Sequence, residues 1–246
     1  MDERILITGA AGVVGTVLRR RLRRPGRVFR LLDIAPQQAP GPDEPVEIIT
    51  GSVTDPATVA AACDGVDAVV HLGGLGPGSG WADVLAVNVD GTHTVLEAAR
   101  IAEVDRVLLG SGIDVAGHRA GRESPAGAPA RPGTYSGVGN AAVEGLGSMY
   151  HSRFGMDVVV LRLGSCAETR PAEDRDGTGA WLSPEDAGRL FDACIRHPAP
   201  GYRIVRGVSG GVGGALSPAG TPGTAAAPGA PLDGVVADAE RFSTGL

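Results

Sequence analysis

The chain contains no lysine; all 22 of its basic residues are arginine. This reads as drift under a GC-rich coding bias. Whatever its origin, a mechanism that needs an ammonium side chain finds none here. Long apolar runs are missing too. No stretch of 18 apolar residues occurs, so no transmembrane helix is expected. Cysteine is scarce: Cys63, Cys166 and Cys194 are far apart and odd in number. They read as reduced thiols of a cytoplasmic protein, not as a disulfide frame. The five histidines show no metal-ligand spacing, and no metal is expected. The start, MDERILITG, is acidic and enters a strand at once, unlike a signal peptide. A net charge of −6, spread along the chain, argues against nucleic acid as a partner.

What is present points to an α/β protein. With 246 residues and 43% hydrophobic content, the chain can bury one sizeable core. Apolar runs at 4–9, 28–33, 46–51, 66–74, 105–111, 157–164 and 202–206 read as strands, several of them apolar throughout. Helical spacing occupies 13–24, 56–62, 82–102, 135–154 and 184–197. The RRRLRR run (19–24) reads as the solvated last turn of the first helix, favoured by its dipole and stopped by Pro25-Gly26. Residues 119–133, rich in Gly, Ala, Pro and Arg, read as a loop. Apolar strands alternating with helices imply a Rossmann-type, doubly wound parallel sheet with helices on both faces. Residues 1–206 are expected to form that single domain, with a small C-terminal substrate region. Residues 207–246 are Gly/Ala/Pro-rich and read as partly irregular, with a short helix at 235–242.

Between the first strand and helix stands Gly9-Ala10-Ala11-Gly12-Val13-Val14-Gly15. Glycines at this spacing let the backbone turn tightly and approach a pyrophosphate at the helix N-terminus. Asp33 ends the second strand, 18 residues past Gly15. A carboxylate there accepts from the adenosine ribose hydroxyls and repels a 2′-phosphate, which selects NAD over NADP.

The G-x-x-G-x-x-G spacing, HLGG after the fourth strand, NVDGT in the next helix and Tyr135 together resemble the extended short-chain dehydrogenase/reductase family. That family includes NAD-dependent epimerases and dehydratases. LITGAAG, VVHLGG and LRLGSC bring the likeness nearest to the uronate dehydrogenases, which oxidise hexuronic acids at C1. The resemblance spans about residues 3–206. It implies that Gly9, Gly12, Val13, Val14 and Gly15 hold the pyrophosphate, and that Asp33 holds the ribose. Ser52 and Val53 would stand near the adenine, with Ser52 where the family often has aspartate. Leu72, Gly73 and Gly74 would line the nucleotide, and Asn88 would help order water. Leu75, Ser165 and an arginine of the following loop, Arg170 or Arg175, would face the substrate. Either arginine reads equally as a surface residue.

The catalytic positions depart from the family. There a serine or threonine, a tyrosine and a lysine four residues later act together. Aligning VLLGSGIDVAG (107–117) puts Gly112 at the serine position, with Ser111 beside it, and Gly139 stands at the lysine position. Ser111 is expected to point to the other face of an extended strand, unless a local shift brings it into use. Residues four apart on a helix share a face, so the missing ammonium would have stood beside Tyr135. A tyrosine with no cation beside it can donate a proton or a hydrogen bond but is a poor general base. Asp114, after the Ser111-Gly112 turn, reads either as a replacement base or as a solvated loop acid. Glycines 137, 139, 145 and 147 within one helix read as close packing, a dimer interface or a loosened site wall. Three readings stand: an atypical NAD-dependent oxidoreductase of a sugar-acid-like or other hydroxy/keto small molecule; a non-redox dehydratase, isomerase or cyclase; and an NAD-binding protein without catalysis. A cytoplasmic homodimer is expected, with no membrane or nucleic-acid partner.

Overall fold

A computed structural model describes residues 2–104, 106–117, 129–169 and 181–209. Its elements run β1 (Glu3–Thr8), α1 (Val13–Arg21), β2 (Arg27–Asp33), β3 (Val46–Thr50), α2 (Pro56–Cys63) and β4 (Ala68–His71). A helix follows in three parts: α3 (Trp81–Val84), a π-turn (Leu85–Asp90) and α4 (Gly91–Ile101). Then come β5 (Arg106–Gly112), a 3-10 turn (Ile113–Ala116), α5 (Tyr135–Phe154), β6 (Asp157–Leu163), β7 (Ser165–Cys166), β8 (Trp181–Leu182), α6 (Pro184–Arg196) and β9 (Tyr202–Gly207).

Seven strands form one parallel sheet in the order β3-β2-β1-β4-β5-β6-β9. This is the expected doubly wound α/β arrangement. Alternate residues of each strand feed two cores. Leu6, Val69, Val107, Leu109 and Val158 pack under α2, α4 and α5. Ile5, Ile7, Val70, Leu108 and Val159 pack under α1 and α6. The order reverses between β1 and β4, the place where open α/β sheets bind ligands at the C-terminal ends of their strands.

Three local departures from the sequence reading have physical causes. α1 stops at Arg21, not Arg24, and the freed carbonyl of Leu22 accepts from the Arg27 guanidinium at 2.9 Å. Arg20, Arg21, Arg23 and Arg24 are exposed, in keeping with a solvated helix end, while Arg19 is buried. Arg19 holds Glu44 through two nitrogens, at 3.0 and 2.8 Å, while Arg24 pairs with Glu3. The single helix expected at 82–102 carries a π-turn, one residue more per turn than periodicity alone suggests. The short β7–β8 pair was not expected, because two-residue strands leave no periodic signal. The irregular segment and helix read at 207–246 lie outside the described residues from 210 onward, as do residues 118–128 of the expected loop.

Candidate functional site

The turn from β1 into α1 is shaped by what its glycines lack. Gly9 has φ +65, and a Cβ there would stand 2.6 Å from the Leu72 backbone. A Cβ on Gly15 would stand 2.6 Å from the Ala10 Cα. Only hydrogen fits at either position. Gly12 supplies no side-chain cap to α1, and the first turn carries no acid. The first N–H groups of α1 are therefore presented to an anion. Val13 is exposed at this end, and Val14 packs inward on the α1/α6 core.

Asp33 sits where β2 ends and braces the same turn. Its Oδ2 accepts from Ala11 N–H at 2.8 Å and its Oδ1 from Ala35 N–H at 2.9 Å. Each oxygen keeps a further lone pair for a ribose hydroxyl. Val53 is buried against Gly73 and Gly91, and the Ser52 hydroxyl bonds to that of Thr54 at 2.8 Å.

Beneath this cradle lies a buried chain of hydrogen bonds that sequence reading missed. The Thr92 hydroxyl donates to the Asn88 carbonyl at 2.6 Å, so it must accept from His71 Nε2, 3.0 Å away. That places the imidazole proton on Nε2 and leaves Nδ1 to accept from the Thr8 hydroxyl at 2.7 Å. Thr8 in turn accepts from Gly73 N–H at 3.2 Å. Burial pushes the His71 pKa down to about 4, which keeps the ring neutral. The histidine of HLGG was in view in the sequence; its two threonine partners, 63 and 21 residues away, were not. The chain ties the Leu72-Gly73-Gly74 segment to the π-turn. Asn88 completes the tie: its Oδ1 accepts from Leu75 N–H at 2.8 Å and its Nδ2 donates to Leu75 O at 3.0 Å. The Asn88 amide is thus engaged by the backbone of Leu75, itself half-buried at the end of the nucleotide segment.

Tyr135 opens α5 at the same end of the sheet. Its ring is 56% exposed and lies 5.8 Å from the Trp81 ring, tilted against it. Thr134 caps the helix, its hydroxyl accepting from Gly137 N–H at 3.0 Å. Asp114 comes up from the 3-10 turn to meet this helix start. Its Oδ1 accepts from Asn140 Nδ2 at 3.2 Å, and the Thr134 hydroxyl lies 3.5 Å from its Oδ2. The structure thus gathers Tyr135, Asp114, Thr134 and Asn140 around the N-terminus of α5. Thr134 was foreshadowed by its place before a helical run; Asn140 carried no signal.

Ser111 is engaged elsewhere. It shares the strand face of Val107 and Leu109, and its buried hydroxyl donates to Glu144 at 3.1 Å. Glu144 is gripped by Arg162 through bonds of 2.8 and 2.9 Å. Gly139 faces the α3–π-turn helix, where a Cβ would stand 2.8 Å from Val84 Cγ1 and 3.0 Å from Asn88 Cβ. Ser165 is exposed on β7. Arg170 and Arg175 lie outside the described residues.

A glycine turn closed by backbone contacts, an uncapped helix start and a carboxylate ending β2 suit a dinucleotide. Residues 5–177 match the NAD dependent epimerase/dehydratase family. The chain belongs to that family. As a member of the NAD dependent epimerase/dehydratase family it takes NAD as its cofactor, and the cradle fits that group. It is 38% identical over 209 residues to the uronate dehydrogenase of Pseudomonas putida, covering 84% of this chain and 76% of that one. It is 34% identical to the NAD-dependent glucose-6-phosphate dehydrogenase of Haloferax volcanii, over 85% and 86% of the two chains. Among solved structures, a mutant of the Agrobacterium tumefaciens uronate dehydrogenase, complexed with NAD, superposes with a TM-score of 0.77. That match has 32% identity and covers 85% of this chain and 78% of that one. Among the described residues, no helix is long and apolar enough to cross a membrane.

Proposed function

We propose that the chain is an atypical NAD-dependent dehydrogenase that acts on a hydroxyl or carbonyl group of a sugar acid or similar small compound. The observation that carries this reading is the glycine-lined turn from β1 into α1, braced by Asp33, at the same end of the sheet as an exposed Tyr135. The uronate dehydrogenases similar to it support the sugar-acid class. When bound, NAD supplies a two-electron hydride acceptor. Gly9, Gly12 and Gly15 would hold its diphosphate, Asp33 its ribose, and the Leu72–Gly74 segment its nucleotide. Tyr135, leaning on Trp81, would donate a hydrogen bond to the reacting oxygen. Leu75, Ser165 and one of Arg170 and Arg175 would contact the substrate.

Glycine at both 112 and 139 removes two of the family's catalytic contacts. Glucuronate and galacturonate are therefore expected to turn over well below the enzyme median of about 10 per second. The same two glycines favour a second reading, in which Tyr135 acts as the acid of a dehydratase, isomerase or cyclase. Following NADH formation with a panel of uronic acids, aldoses and keto sugars separates the two readings. NADH from at least one member supports the dehydrogenase; product formation without net NADH supports the second. The reading extends to a homodimer in the cytoplasm. Val138, Gly145 and Met149 form an exposed stripe along α5, and the cysteines are unpaired, which supports both points.

A further inference from the structure

Gly112 ends β5, paired with Leu163 of β6, at the C-terminal edge of the sheet. A Cβ at this glycine would overlap Asp114 Oδ1 and stand 3.0 Å from Asn140 Nδ2. The carboxylate of Asp114 thus occupies the space that any side chain at residue 112 would enter. The substitution that removes a hydroxyl makes room for an acid.

The acid is held but not neutralised. Asn140 and Thr134 each contact one of its oxygens, at 3.2 and 3.5 Å, which leaves lone pairs on both. The group is half-buried and makes no ion pair among the described residues. Glu144 on the same side of the sheet differs on every count. It is buried, bound twice by Arg162, and also accepts from Ser111. Of Asp114 and Glu144, only Asp114 can receive a proton without breaking an ion pair among the described residues.

We propose that the Asp114 carboxylate is the general base of the dehydrogenase reaction, seated in the volume vacated at Gly112 and aimed by Asn140. The assignment rests on the dehydrogenase reading above. The substrate O–H bond breaks and its proton bonds to an Asp114 oxygen. The oxygen's electron pair closes the C=O bond. The carbon's hydrogen leaves as hydride to the nicotinamide dinucleotide that serves as oxidant. Asp114 then releases its proton to water. Tyr135 need only donate a hydrogen bond, which it does without an ammonium neighbour.

Asp114→Asn is near-isosteric and keeps the contact from Asn140, so it separates charge from bracing. In the variant, kcat for oxidation is expected to fall by about 100-fold or more, the usual scale of general-base catalysis. KM, NAD affinity by calorimetry and the melting temperature should stay within error of the parent. Asp114→Ala should regain rate in proportion to added formate. An active parent whose Asp114→Asn variant keeps its rate within about threefold overturns the assignment alone and leaves the dehydrogenase reading standing. Loss of rate that formate does not restore, with a fallen melting temperature, also overturns it in favour of a bracing role. A parent that forms no NADH from any hydroxy compound at any pH overturns the reading and the assignment together.

Discussion

The two halves of the site use glycine in opposite ways. In the cofactor half, Gly9 and Gly15 stand against backbone: a Cβ on either would meet main-chain atoms of Leu72 or Ala10 at 2.6 Å. Backbone cannot step aside, so only glycine keeps this turn. In the catalytic half, Gly139 stands against the side chains of Val84 and Asn88, Gly147 against Leu109 and Val158, and Gly112 against Asp114. Side chains can rotate away, but at a cost in packing. The first half is held to one chemistry by steric necessity. In the second, neighbouring side chains fill the space in front of each glycine.

The strongest way to break this contrast is to add a methyl group where backbone forbids it. Gly15→Ala should weaken NAD binding on the order of 100-fold or more, about 3 kcal/mol at 1.4 kcal/mol per tenfold change. Calorimetric titration measures it, and an unchanged affinity would show that the turn yields. A similar magnitude is expected from acid. His71 is neutral in the fold with a pKa of about 4, against about 6.5 in an unfolded chain. The folded value is the lower one, so its contribution is complete above pH ~6.5 and is lost as pH falls toward ~4. A gap of ~2.5 pH units at about 1.36 kcal/mol each amounts to about 3 kcal/mol. Urea melts at several pH values test this. His71→Gln should flatten the acid limb, and a parent with no loss of stability in that window would exclude the neutral hydrogen-bonded ring.

How much of this was legible beforehand differs between the halves for the same reason. The cofactor turn is a local demand on backbone, so the spacing of Gly9, Gly12 and Gly15 announces it, and Asp33 follows from the strand's length. The catalytic half depends on how α5 meets the α3–π-turn helix. That meeting is made by Val84, Asn88 and Gly139, which are far apart in sequence and carry no periodic mark. Ser111 could be placed in advance: the period of two turns it away from the Gly112 face, and it lies under α5 with Val107 and Leu109. Asp114 could only be offered as one of two readings, since nothing in the turn's sequence says which way the carboxylate points.

Placing serine and lysine at two of these glycines sharpens the contrast further. Gly112→Ser with Gly139→Lys should not raise dehydrogenase activity. It should instead lower stability by about 1–3 kcal/mol through overpacking, read as a fall in melting temperature. A gain in NADH formation with the parent's stability retained would mean that the half has merely decayed. Asp33→Ser is expected to reduce the preference for NAD over NADP by about tenfold, or about 1.4 kcal/mol. A parent that binds both equally would remove Asp33 from the selection. The smallest effect tests the one helix glycine among the described residues that meets nothing. A Cβ on Gly145 would have open space within 4 Å. Gly145→Ala should therefore stabilise the protein by up to about 1 kcal/mol through helix propensity, seen in chemical denaturation. Destabilisation would mean that this exposed stripe is closely covered by another chain.

The π-turn at Leu85–Asp90 is, in effect, one residue inserted into a helix. A regular helix advances about 100° per residue. The insertion therefore rotates everything before it by about that angle relative to everything after. Trp81 and Val84, before it, look toward Tyr135 and Gly139; Thr92, after it, looks toward His71. Deleting the exposed Ala86 from the turn would change no charge and empty no cavity, yet it would turn one of these faces away from its partner. The phase of this one helix keeps the two halves of the site facing each other.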